Sequence, residues 1–139
     1  MSKQETIAEI QNLRIALREQ QAHENAEVAL VLQAIQSWGI SIPDPGPVSL
    51  YLARHPDILS VLRDVPGASA ASFRAGTQLS LSLYRDPEID DEYLVIYIRQ
   101  DKYDDDIMDQ IDAVSEGLSP TLADASGWLL LTTDFRPSA

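Results

Sequence analysis

No cysteine occurs among the 139 residues, which excludes disulfides, thiolate nucleophiles and zinc sites built on Cys. No run of 18 apolar residues is present, so nothing has the length of a bilayer-spanning helix. The opening stretch MSKQETIAEIQNLR lacks the apolar segment and small-residue cleavage site of a secretory leader, and the expectation is a cytoplasmic protein without membrane contact. Also missing are a Gly-x-Ser-x-Gly elbow, a phosphate loop with Gly-Lys-Ser/Thr and a Gly-x-Gly-x-x-Gly turn. Basic charge is scarce: ten Lys and Arg face 22 Asp and Glu, for a net charge of −12. Such a surface repels phosphate backbones, whose binding rests on Lys and Arg, so direct nucleic-acid binding is not expected.

What is there fits one domain with a real core: 45% of the residues are apolar, an ordinary share for a globular chain. The charge is unevenly spread. Residues 85–112 hold eleven acids and three bases, −8 of the total −12.

From Glu5 to Trp38 there is neither Pro nor Gly. Ile7, Ile10, Leu13 and Leu17, then Val28, Leu32 and Ile35, recur at helical spacing. One long helix or two collinear ones are expected, with a solvated or bent turn at Gln20 to Glu27 and a stop at Gly39, where a left-handed residue costs least. Such a helix runs about 50 Å, longer than a compact domain of this size is wide. Its first half should project and pair through Ile7, Ile10, Leu13 and Leu17, most simply with a second copy; VALVLQAI should lie against the domain. Residues 1–40 are thus read as an oligomerisation helix, 41–47 (SIPDPGP) as a stiff Pro-rich connector, and 48–137 as an α+β domain.

Within that domain Val48, Leu52, Ile58, Leu59 and Leu62 line one side of helical turns interrupted at Pro56, since the residue before proline is pushed toward extended geometry. The second turn is expected to open with Pro56, and VPGASAASFRAG to be a loop. Thr77 to Tyr84 alternates Leu79, Leu81 and Leu83 with polar residues, the pattern of a half-buried strand. Glu92 to Arg99 is apolar on both faces, which places it inside the sheet or covered on both sides. Ile107, Ile111, Val114 and Leu118 mark a helix opened by Asp104, Asp105 and Asp106 in its first turn, with Asp109 and Asp112 facing outward. Gly127 to Phe135 is a third strand. The fold class is therefore α+β: a long N-terminal helix, a further helix, and a three-stranded ββαβ, mainly antiparallel sheet. The third strand is placed beside the first, although the two-sided second strand pulls toward a parallel pairing with it.

The acids before the second strand, Asp86, Glu88, Asp90, Asp91 and Glu92, are of the type that holds a hard cation. They lack the glycine and glutamate spacing of an EF-hand, and a solvated hairpin loop accounts for them more simply. His23 falls in the polar middle of the long helix and should be exposed. His55 stands beside Pro56 and Asp57; the tripeptide resembles the mark of co-chaperone J-domains, but that module is all-helical and strongly basic. Tyr84, Tyr93, Tyr97, Tyr103, Trp38 and Trp128 suit core or sheet-face packing before a binding patch.

The run LSLYRDPEIDDEYLVIYIRQ, the spacing to YDDDIMDQID and the closing WLLLTTDF resemble a group of small acidic bacterial α+β proteins that share a strand, an Asp-Pro loop, a strand, a helix and a final strand. Some of that group look like acidic partners encoded beside toxins or nucleases, which implies an antitoxin-like role and no particular chemistry. The expectation from the residues agrees: a non-enzymatic interaction or regulatory protein, without cofactor, metal or catalytic residues. A basic protein partner is expected on Asp86, Glu88, Asp90, Asp91, Asp104 and Asp105, and a homodimer through Ile7, Ile10, Leu13 and Leu17. A hydrolase or divalent-metal enzyme using His55 with hairpin-loop carboxylates stays open, as does a homo-oligomeric scaffold.

Overall fold

The computed structural model describes residues 3–137, without the side chains of residues 3–5 and of Glu24. Helix α1 (Lys3–Ser37) runs unbroken through the polar stretch around His23. It stops at Gly39, whose φ of +96° only glycine adopts without strain. Val28, Val31, Leu32 and Ile35 are buried against the domain, while the N-terminal half is exposed throughout its described side chains.

The Pro-rich segment is more than a connector. Ile40–Ser41 forms a short strand, β1, and helix α2 (Pro45–Arg54) starts inside it, with proline in its first turn, where the missing N–H would have had no helical partner. Helix α3 (Ile58–Ser72) continues through Pro66 and Gly67 where a loop was expected. Ala68, Ala70 and Ala71 favour helix, and burial of Val61, Leu62 and Val65 on its inner face outweighs the lost proline donor. Pro56 precedes this helix by two residues instead of opening it. The expected apolar stripe is present: Val48, Leu52, Ile58, Leu59 and Leu62 are all buried.

Strands β2 (Gln78–Asp86) and β3 (Asp91–Arg99) form an antiparallel hairpin, helix α4 (Ile107–Leu122) follows, and β4 (Leu129–Thr132) closes the chain's regular structure. Asp104 and Asp105 precede α4, and Asp106 occupies its N-cap position, so none of the three lies in the first turn. The sheet has four strands in the order β1-β2-β3-β4, and it is mixed: the outer two pairs are parallel and β2-β3 is antiparallel. This corrects the expected three-stranded, mainly antiparallel sheet with its last strand beside the first. The two-sided apolarity of β3 decides the matter, because a strand buried on both faces belongs inside the sheet and takes β2 on one edge and β4 on the other.

Leu79, Leu81, Leu94, Ile96, Ile98, Leu129 and Leu131 share one core cluster with the buried residues of all four described helices. Val95, buried to 2% exposure, stands outside that cluster because alternation turns it to the opposite face. Among the described residues no helix is long and apolar enough to cross a membrane.

Candidate functional site

The β2-β3 hairpin places Asp86 directly opposite Asp91. Its turn is shaped locally: Glu88 N donates to Asp86 Oδ1 at 2.9 Å, and Asp90 sits at φ 51°, a left-handed position that Asp tolerates better than most residues. Glu88, Asp90 and Asp91 are exposed. Between them Ile89 is 68% exposed, an aliphatic side chain held out at the tip of a carboxylate loop. Glu92 differs from its neighbours. Its two oxygens meet Arg54 Nη2 at 2.8 Å and Arg85 Nη2 at 2.9 Å, and the hydrogen bond from Arg85 holds its carboxyl below the usual range. It fastens the hairpin to the end of α2.

Asp104 and Asp105 lie beyond the far end of β3. Nine residues of strand separate them from the hairpin, roughly 30 Å, so the acids expected to act together form two groups. Asp104 is half-buried and structurally engaged: its N donates to Gln100 Oε1 at 3.0 Å, and its carboxylate meets Arg74 Nε at 3.5 Å. Gln100, almost fully buried, also donates to Thr77 Oγ1. Asp105 is exposed, and Asp106 accepts from Gln110 Nε2 at 2.9 Å. Asp109 and Asp112 face solvent on α4, and His23 is exposed. No group of three or more His, Asp or Glu among the described residues is placed to hold a metal ion.

His55, Pro56 and Asp57 form the joint between α2 and α3, and their contacts run to residues the sequence reading did not connect with them. Ser126 Oγ donates to Asp57 Oδ1 at 3.1 Å and lies 2.9 Å from His55 Nδ1, while Ser126 N donates to Asp57 Oδ2. Tyr51 stacks on His55 with ring centroids 4.5 Å apart and its hydroxyl accepts from Trp128 N at 2.9 Å. A Cβ on Gly127 would come within 2.8 Å of Ile58 Cγ1 and 2.9 Å of His55 Cβ, so only glycine passes there. Asp57 stands at the N-cap position of α3 without capping it; its carboxylate serves the entry to β4. The backbone N–H of Ser126 in particular holds Asp57 below the usual carboxylate range.

In a nucleophilic triad the histidine stands between hydroxyl and carboxylate. Here the hydroxyl stands between the other two. Ser126 Oγ bridges the Asp57 carboxylate and His55 Nδ1. The cluster is a clamp holding β4 to the α2-α3 joint. The sequence carries only a faint sign of it, the Ser-Gly pair just before a strand.

The stripe Ile7, Ile10, Leu13 and Leu17 is 47% to 63% exposed. Trp38 and Trp128 are more than half exposed as well, whereas Tyr93, Tyr97 and Tyr103 are half-buried.

Compared with protein-family models, with curated proteins and with solved structures, the chain gives no match.

Proposed function

We propose that this protein is a non-enzymatic interaction protein that assembles through the exposed half of α1 and presents its acidic β2-β3 hairpin to a basic protein. An antitoxin-like or other regulatory subunit is one concrete form of this role. The observation that carries the reading is the hairpin tip, where Ile89 stands exposed among Glu88, Asp90 and Asp91. Carboxylates speed the encounter with a basic surface and select against acidic ones; an exposed aliphatic side chain supplies the desolvated contact that slows departure. Asp86 shapes the turn and adds to its field. Asp105 lies too far away to belong to the same contact, and Asp104 is engaged within the fold.

The test is surface plasmon resonance at low salt against a basic candidate partner protein. E88Q/D90N should lower the association rate several-fold, and Ile89→Ser should raise the dissociation rate while leaving association nearly unchanged. Equal association rates for wild type and the double variant remove the proposal.

A further inference from the structure

Among the described residues, two surfaces keep large apolar side chains exposed. One is the stripe on the N-terminal half of α1. The other is the face of the sheet turned away from the helices. There Tyr84 stands opposite Tyr93 with ring centroids 5.1 Å apart, and Val95 lies between Ser82 and Leu130. Leu130 is 38% exposed on this side and Trp128, which alternation sets with it, 51%. Buried aliphatic residues from the helices all fall in the cluster on the opposite side.

Charge identifies what fits the open face. At its hairpin end Asp86 and Asp91 stand directly opposite each other, and alternation turns both to the same side as Tyr84 and Tyr93. Like charges in that position destabilise a sheet, and neither has an ion-pair partner among the described residues. Arg14 and Arg18 lie one turn apart on α1, beside the apolar stripe, and are likewise without an ion pair among the described residues. Residues 3–23 carry three bases and three acids in a chain of net charge −12, so this segment approaches a second acidic copy without net repulsion.

We propose that the N-terminal half of α1 from one copy lies across the open sheet face of a second copy, reciprocally. Ile10 covers Leu130, Leu17 covers the Tyr84-Tyr93 pair, and Arg18 reaches Asp86 and Asp91. The dimensions agree. Ile10 to Arg18 is about 12 Å along a helix, and Val95 to Asp91 is about 13 Å along a strand. A helix about 10 Å wide spans three strands set roughly 4.8 Å apart. Helix on sheet is the ordinary way such surfaces are buried. Pairing of helix with helix would cover the stripe but leave the sheet face and its two opposed carboxylates as they are.

The inference rests on the reading of α1 as the assembly element, and the test separates the two. Because the chain has no native cysteine, single-cysteine variants report one position each. Full-length Ile10→Cys and tagged Leu130→Cys are mixed and treated with a short bismaleimide, alongside sedimentation of the wild type and of D86N/D91N. Expected are an Ile10→Cys to Leu130→Cys crosslink between copies and a several-fold weaker dimer for D86N/D91N at low salt. A dimer that crosslinks only Ile10→Cys to itself overturns the inference and leaves assembly through α1 standing. A wild type that sediments as a monomer at high concentration overturns both.

Discussion

Asp57 Oδ1 accepts the Ser126 hydroxyl at 3.1 Å across 69 positions of chain, and this bond joins the start of α3 to the entry of β4. Asp57→Ala removes the acceptor of both the hydroxyl and the backbone N–H of Ser126. The expected cost is about 1 kcal/mol, allowing for the exposure of the carboxylate, with Ser126→Ala costing less because the backbone bond survives. Urea denaturation measures both. An unchanged midpoint for Asp57→Ala would show the clamp to be incidental.

Gly127→Ala should be the most damaging of the glycine substitutions, since its new methyl meets side chains on the α2-α3 joint at 2.8 Å and 2.9 Å. Overpacking of this kind costs about 1–3 kcal/mol. Gly117→Ala is the contrast. It lies inside α4 with nothing within 4 Å of the added Cβ, and removing a helix glycine should raise stability by up to about 1 kcal/mol. Thermal melts that rank the two variants the other way would contradict the packing at Gly127.

Acid should weaken the fold through its bonded carboxylates. Arg99 donates to Asp134 at 2.8 Å and holds that carboxyl down at about 2; Glu92 and Asp57 are lowered as well. A group depressed in the folded state contributes stability fully above its unfolded pKa, about 4, and loses it as pH falls through the folded value. Asp134→Asn should therefore cost about 1–2 kcal/mol at pH 7, with the difference from wild type shrinking between about pH 4 and pH 2. A constant difference over that range would argue against the Arg99 pairing.

Asp104 and Asp105 are neighbours with different work. Asp104→Ala loses the contacts to Gln100 and Arg74 and should destabilise by about 1 kcal/mol, while Asp105→Ala, being exposed, should stay within about 0.5 kcal/mol of wild type. Chemical denaturation of the two single variants decides this, and equal values would mean that Asp104 is as wet as its neighbour.

Much of the fold is written locally. The spacing of Ile107, Ile111, Val114 and Leu118 marks α4 and its buried face, and the alternation of Leu79 and Leu81 marks the inner side of β2. The continuation of α3 through Pro66 and Gly67 was hidden, because two strong local breakers mask a favourable alanine-rich turn and a buried stripe. The acidic run was visible as composition, but its division into an exposed hairpin and a bonded Asp104 depends on nine intervening residues being extended. His55 and Asp57 were noticeable; their partner Ser126 was not, since nothing in either segment names the other.

The sequence by itself determined the periodic elements, the stop at Gly39 and the unpartnered stripe on α1, because each follows from the geometry of a few consecutive residues. Only the tertiary structure decided that β4 lies parallel beside β3 and which carboxylates remain in water. Those outcomes depend on the core closing as a whole, where the burial of a two-sided strand selects its neighbours and each carboxylate takes whichever donor the finished packing brings to it.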